Sequence, residues 1–387
     1  MNSKKREPPV RRTRLIIIAV FLFSTIFLLF ERASVRSVAA PSTPPKNLYL
    51  LEAVIRLIRN DYLEEKDPLR TIDGSFKGLV NSLDSYSGYL DAESTSRYLS
   101  QRDSPLLEPG ILFFKRYLEF PLVIGLVEGS PAAKSDIRPG DLITEINKKP
   151  TPAMSYPEVA VLLNDREAAP LDLKILRADK TLDLKVERAL LSAEPWSFAA
   201  QEGTAGILKI ARLEAPCVDG IKAKLLPRLL KSGRPLVIDL RNCDRGSYEE
   251  AGRLINLFLK AETIGYFEKK GGAKENLSSP EEPVLANIPL AIWVSQATLG
   301  PAEAAAAVLQ DFRRAKIVGL PTLGQAAKQE FFPLQDGTSV LLTSGVFCLN
   351  SGTQLWGRGA EPDVKLEPSS QDFASYLKKT QGLFSLS

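Results

Sequence analysis

A hydroxyl, an amine and a pair of backbone N–H groups gathered at a sharp strand-to-helix turn would make an acyl-transfer centre. One stretch of this chain has that outline. The apolar run Pro289–Val294 ends in Ser295-Gln-Ala-Thr-Leu-Gly300, and Pro301 then opens an alanine-rich run that reaches Gln310 and Asp311. A short apolar run, a small-residue turn and a proline at a first helical position spell strand, elbow and helix. Such an elbow presents a nucleophile and aims helix N–H groups at an oxyanion. The hydroxyls available on it are those of Ser295 and Thr298. Lys328 follows, after a second apolar piece, Ala315–Gly319, and a turn, Leu320–Gln325. The 387 residues contain no histidine, which excludes Ser–His and Cys–His mechanisms and any His-ligated metal. No metal and no cofactor are expected.

The elements that would position this elbow come from a chain of ordinary globular composition, 44% hydrophobic and 25% charged, long enough for two or three cores. The net charge of +4 is concentrated at the start, where Lys4, Lys5, Arg6, Arg11, Arg12 and Arg14 lie. The remainder is close to neutral, which argues against a nucleic-acid surface. Three cysteines, Cys217, Cys243 and Cys348, have no C-x-x-C spacing and read as small buried hydrophobes. A Cys217–Cys243 bridge in an oxidising compartment stays open.

Residues 1–14 form a basic tail, and 15–30 a continuous uncharged run, LIIIAVFLFSTIFLLF. The run reads as an uncleaved membrane anchor. Its basic flank puts the N-terminus in the cytoplasm and the bulk of the chain outside it, in a bacterial periplasm or its equivalent. Ser37-Val-Ala-Ala40 offers the small residues of a cleavage site, so cleaved export is the alternative. A Pro/Ser-rich linker (31–46) leads to a helical region (47–105). There Leu48, Leu51, Val54, Ile55, Ile58 and Tyr62 recur at helical spacing, and a second helical piece covers Asp73–Leu83. A turn, Leu83–Asp91, precedes a short helix from Ala92. Residues 106–190 change character: strands at Leu122–Val127, Leu142–Ile146, Leu171–Ile175 and Leu182–Val186 surround one helix near Tyr156–Asn164, the pattern of a small barrel-like module. Residues 191–366 alternate apolar strands with helices: a strand at Leu236–Leu240, a loop at Arg241–Ser247, a helix at Tyr248–Lys260, the elbow, and strands at Ser339–Thr343 and Gly345–Leu349. The expected fold class is α/β. The tail, 367–387, holds a last surface helix at Gln371–Gln381.

Several of these segments resemble the carboxy-terminal processing proteases, or tail-specific proteases, a family of serine peptidases with a PDZ module ahead of a crotonase-like α/β core. Leu83-Asp-Ser-Tyr-Ser-Gly-Tyr-Leu-Asp91 is similar to the family's L-D-P-Y-S-x-Y-L-D. Gly129-Ser-Pro-Ala-Ala133 with Ile137-Arg-Pro-Gly-Asp141 resembles its PDZ signature. Val237–Asn242, Leu309–Asp311, Ile317–Gly319, Phe332–Gly337 and Gly357–Val364 resemble its core motifs in order. The resemblance implies an anchored protein with a small N-terminal helical segment, an inserted PDZ module and a crotonase-like core. It also implies a Ser–Lys mechanism with a nearby glutamine. Aligned through Glu303 and Gln329, the serine position falls on Gly300 and the lysine position on Gln325, at the family's spacing, while Gln329 is retained.

Those replacements remove the chemistry the resemblance implies. Gly300 offers no nucleophile, and an amide at Gln325 accepts no proton near neutral pH. The residue after the serine gives the oxyanion hole a backbone N–H; here Pro301 has none. The second oxyanion turn reads Asn242-Cys-Asp-Arg-Gly246, with Arg245 at its first glycine position. Ser295, Thr298 and Lys328 are the fallback candidates for a relocated dyad. Against them, Thr298 suits a helix cap, and Lys328 would face away from Gln325 on an extended segment.

The sequence therefore predicts a pseudopeptidase that binds polypeptide C-termini through its PDZ groove. It would act as scaffold, adaptor or regulator in the cell envelope, as a homo-oligomer or beside an active paralogue. The carboxylate-binding segment is expected at Glu108, Pro109, Gly110, Ile111, Leu112 and Phe113. The alternatives are an active endopeptidase with a relocated dyad and a structural envelope protein.

Overall fold

A computed structural model describes residues 46–63, 68–102, 106–191, 194–200, 205–369 and 372–384. The Leu15–Phe30 run, its basic flank and Ser37–Ala40 lie outside the described residues. Among the described residues no helix is long and apolar enough to cross a membrane. The chain divides into two compact units at Pro68. The first is described by one amphipathic helix, α1 (Lys46–Asp61), whose Leu50, Leu57 and the following Tyr62 are exposed.

The second unit opens with α2 (Pro68–Asn81), β1 (Gly88–Leu90) and α3 (Ala92–Gln101). Asp91 caps α3 by accepting the Ser94 N–H. A short ladder, β2 (Leu107–Glu108) with β9 (Ala189–Leu190), brackets the next module. That module is a sheet of β3 (Ile111–Phe114), β4 (Leu122–Leu126), β5 (Leu142–Ile146), β7 (Leu171–Arg177) and β8 (Lys180–Val186), paired in that order, with β6 (Lys149–Pro150) on β5. One helix, α4 (Tyr156–Leu163), completes it. It starts at a capping box in which Ser155 and Glu158 satisfy each other's backbone N–H groups. Inward-facing Val123, Ile143, Ile146, Leu171, Leu173 and Ile175 alternate with outward polar residues and close a core of their own.

The larger core is a six-stranded sheet in the order β10 (Trp196–Ala200), β11 (Gly206–Ile210), β12 (Leu236–Asp239), β15 (Leu290–Val294), β16 (Lys316–Gly319) and β19 (Val364–Lys365). All its pairings are parallel except β10 with β11. Strands β12 and β15 are buried throughout, which is why they read as unbroken apolar runs. Helices α5 (Cys217–Lys224), α6 (Leu226–Ser232), α7 (Tyr248–Asn256) and α8 (Pro301–Asp311) accompany this sheet. The small side chains of Ala302 and Ala304–Ala307 on α8 are all buried.

A second sheet was not legible in the sequence. It consists of β1, β18 (Ser339–Leu349), β13 (Ala261–Lys269) and β14 (Lys274–Ser279), with β17 (Ala327–Pro333) also on β18. The helix expected over Tyr248–Lys260 stops at Asn256, and the chain turns into β13. The two strands expected over Ser339–Leu349 are one. The C-terminal helix α9 (Phe373–Phe384) is not a surface appendage. Its Tyr376 is fully buried, the Tyr376 hydroxyl donates to the Val294 carbonyl at 2.7 Å, and Trp293 Nε1–H donates to Thr380 Oγ1 at 2.7 Å. It thus braces β15 where that strand enters the elbow.

All three cysteines are buried and unbridged, so Cys217 and Cys243 form no disulfide.

Candidate active site

Strand β15 delivers the chain to the elbow and α8 carries it away. Between them the backbone is locked by its own hydroxyls. Ser295 Oγ donates to the Arg241 carbonyl and accepts the Ala297 N–H at 3.1 Å. Thr298 Oγ1 accepts the Ser295 N–H at 3.0 Å and donates to the Leu240 carbonyl at 2.7 Å. Thr298 therefore does not cap α8. The N-cap is Gly300, with no side-chain hydrogen bond, and Pro301 is the first helical residue. Gly300 has φ 55° and ψ −118°, a conformation that glycine tolerates and L side chains resist.

The structure brings Gly300 and Gln325 together. A Cβ built on Gly300 would lie 3.8 Å from the Gln325 carbonyl oxygen and 3.9 Å from the Tyr248 hydroxyl. The Gln325 side chain is buried. Its Oε1 accepts from Ser85 Oγ at 3.0 Å, and its Nε2 lies 3.4 Å from the Leu323 and Gly324 carbonyls. Tyr248, the first residue of α7, donates to the Ala327 carbonyl at 3.1 Å, and burial holds its hydroxyl well above the usual tyrosine range. Gln329 Nε2 donates to the Tyr86 carbonyl at 2.7 Å. Ser85 and Tyr86 belong to the turn that the sequence marks only as LDSYSGYLD, and their reach across the site was not foreseen.

Glu303, in the first turn of α8, fastens the loop that carries Gln325. Its Oε1 accepts from Thr322 Oγ1 and from the Gly324 N–H at 2.7 Å, and its Oε2 accepts the Gln325 N–H at 2.7 Å. Full burial pushes this carboxyl up to about 7, against the pull of those donors in the other direction.

Lys328 stands apart. Its ammonium bonds Glu275 at 2.5 Å and lies 4.3 Å from the centre of the Phe267 ring. The three fallback groups are thus each committed elsewhere: two hydroxyls to backbone carbonyls, one amine to a carboxylate.

On the opposite flank, the loop after β12 presents Arg245 and Gly246. Arg245 grips Glu108 with both terminal nitrogens, at 2.8 and 2.5 Å, joining the core to the entrance of the smaller module. Burial pulls the guanidinium pKa down, but Asp244 and Glu108 hold it above its ordinary value. Gly246 has no room for a side chain, since a Cβ would meet the Leu213 carbonyl at 2.5 Å. The neighbouring Asn242 Nδ2 donates to the Leu126 carbonyl at 3.2 Å.

The segment expected to bind carboxylates, Glu108–Phe113, is buried along its whole length. Gly110 has φ 80° and packs against Ser130, while Phe113 stacks on Tyr156 with ring centres 4.7 Å apart. Tyr86 in turn lies 5.3 Å from Tyr156. Leu112 and Ile124 pack on Ala297 and Leu299 of the elbow, so the smaller module sits directly over the candidate site. A groove of about 440 Å³ remains beside it, lined by Val127, Lys134, Trp196, Ile210 and Arg245 among others.

Comparison with known proteins agrees with this architecture. Residues 205–366 match the profile of Peptidase family S41, and residues 122–177 match that of a PDZ domain. The carboxy-terminal processing protease CtpA of Bacillus subtilis (strain 168) is 25% identical over 355 residues, which is 91% of this chain and 76% of that protein. The solved photosystem II D1 C-terminal processing protease superposes with a TM-score of 0.68 at 18% identity, covering 86% of this chain and 97% of the other, a likeness of fold. Residues 205–366 thus carry an α/β core of the S41 type, and a PDZ domain stands ahead of it. Within that class, the chain is similar to the carboxy-terminal processing proteases.

Proposed function

We propose that this chain is a non-catalytic member of its family. It binds polypeptide C-termini through the PDZ domain and serves as scaffold, adaptor or regulator in the cell envelope, held there by Leu15–Phe30 with the bulk of the chain outside the cytoplasm. The observation that carries the reading is the pairing of Gly300 with Gln325 at the elbow, beneath Leu112 and Ile124. Acyl transfer by this family's route needs a hydroxyl and a base within hydrogen-bond reach, and a glycine at one position with an amide at the other supplies neither. The proline at 301 removes an oxyanion donor, a loss that typically lowers rate by about 100- to 1,000-fold. In PDZ recognition a peptide adds a strand to a sheet edge and its carboxylate meets backbone N–H groups. Strand β3, which ends its sheet and follows Gly110, is suited to this once the Phe113–Tyr156 stack opens.

The deciding experiment is hydrolysis of an unfolded, fluorogenic substrate by the full chain. The expected result is no turnover. Robust turnover that Ser295→Ala, Thr298→Ala or Lys328→Ala abolishes would overturn the reading and establish a relocated dyad. Peptides ending in small apolar residues, with a free or an amidated C-terminus, test the binding half. Equal binding of the two forms, or none, removes carboxylate capture and leaves a structural envelope role. Reporters active on only one side of the membrane, fused after Ser387, test the topology, and cytoplasmic activity would refute it.

A further inference from the structure

Strand β10 ends the large sheet, and among the described residues no strand pairs with its outer side. The ladder fixes which groups face out. Ala211 N–H donates to the Pro195 carbonyl and Gly206 N–H to the Pro235 carbonyl, both at 2.9 Å. Alternation then turns the N–H and C=O groups of Trp196, Phe198 and Ala200 away from β11. The strand, Trp196-Ser-Phe-Ala-Ala200, carries none of the lysines, prolines or bulges that usually blunt an exposed edge.

Beside this edge lies a pocket of about 440 Å³. Phe198, Leu229 and Pro235 give it an apolar lining, and Arg228, Lys231 and Arg234 its charge. No carboxylate lines it, and among the described residues none of the three cations has an acidic partner. Gly206 makes room for the aromatic floor, because a Cβ there would meet the Phe198 ring at 2.8 Å. The Arg228 guanidinium is held 5.5 Å from the centre of that ring, a cation–π contact, and among the described residues its N–H donors make no hydrogen bond. Arg228 lies in the first turn of α6. Lys231 in the last turn follows the dipole rule and by itself would need no further account.

We propose that β10 and this pocket bind an extended acidic polypeptide segment. The segment adds to the β10 edge, sets an apolar side chain on Phe198 and pairs a carboxylate with Arg228, Lys231 and Arg234. The site lies on the core sheet, does not rest on the PDZ reading, and would let one chain hold two polypeptide segments at once.

The test uses the full chain in mild detergent and a nine-residue peptide of alternating valine and glutamate, acetylated and amidated so that it has no free C-terminus for the PDZ domain. The expected result is saturable binding. It weakens at least tenfold for the triple change Arg228→Ala, Lys231→Ala and Arg234→Ala, and also for the same peptide N-methylated at alternate residues. These three side chains are exposed, and an unchanged urea midpoint verifies that the variant is folded. Equal binding by the triple variant overturns the role of the cations, and equal binding of the N-methylated peptide overturns edge pairing. No binding by the unmodified protein overturns the site altogether. If phosphatidylglycerol vesicles then protect the same three residues from labelling, the patch faces lipid instead.

Discussion

Adding a single methyl group at Gly300 tests the elbow geometry on which the functional reading depends. Gly300→Ala places a Cβ whose nearest neighbours are the Gln325 carbonyl at 3.8 Å and the Tyr248 hydroxyl at 3.9 Å, ordinary contact distances. Steric overlap therefore contributes little, and the penalty is that of holding an L residue at φ 55° and ψ −118°. Residues forced into such sparsely populated regions cost about 1–3 kcal/mol. The matched control is Gly74→Ala on α2, where nothing lies within 4 Å of the added atom. There alanine is the better helix former, and the expected change is a stabilisation of about 0.5–1 kcal/mol. Urea unfolding of the two variants beside the parent should shift the midpoint in opposite directions. Neutral or stabilising behaviour of Gly300→Ala would show that the turn relaxes. In that case Gly300→Ser would be a better-tolerated route to a restored nucleophile than the geometry allows.

Other outcomes follow from the same site. Gly300→Ser or Gln325→Lys alone should give no peptidase activity. Activity should appear, if at all, only when both are combined with Pro301→Ala, or with Arg245→Gly as well, and turnover by either single variant would contradict this. Arg245→Ala should lower stability in urea by about 2–3 kcal/mol, because it strands the buried Glu108 carboxylate. That is below the full value for a buried pair because the Arg245 side chain is 35% exposed to screening solvent; a loss under about 0.5 kcal/mol would show the clasp to be ornamental. The Glu303 carboxyl, held up at about 7 when folded against 4.5 ordinarily, keeps a proton in the folded chain that the unfolded chain has released. Its contribution is therefore fully present below about pH 4.5 and falls as pH rises to about 7, by roughly 3 kcal/mol across that window. Unfolding free energies of the parent minus Glu303→Gln between pH 5 and 8 should decline with pH, and a rise would refute the assignment.

Much of this protein was legible before any tertiary structure. The elbow could be read because its signals are local: an apolar strand, small residues, and a proline at the first helical position. The smaller module could be read from its strands around one helix, and its PDZ character from the resemblance of Gly129–Ala133 and Ile137–Asp141 to the family's signature. The alignment of Gly300 and Gln325 with a dyad came from the resemblance to the family's motifs around Glu303 and Gln329.

The second sheet could not be read this way. Strands β14 and β17 are rich in charged and polar residues, and β13 follows α7 without a breaker, so no periodicity marks them. Tertiary structure also decided what individual polar groups do. Thr298, suited by type to a helix cap, instead ties the turn to the Leu240 carbonyl. Arg245, at a position where the family resemblance implies a glycine, found its partner 137 residues away in Glu108. Helix α9, polar enough to read as a surface element, buries Tyr376 against β15. Local pattern determines which face of an element is apolar, because that depends only on the repeat of the backbone. Which carboxylate an arginine meets, or which carbonyl a hydroxyl finds, depends on how distant strands are ordered in the sheets, and only the packed chain decides that.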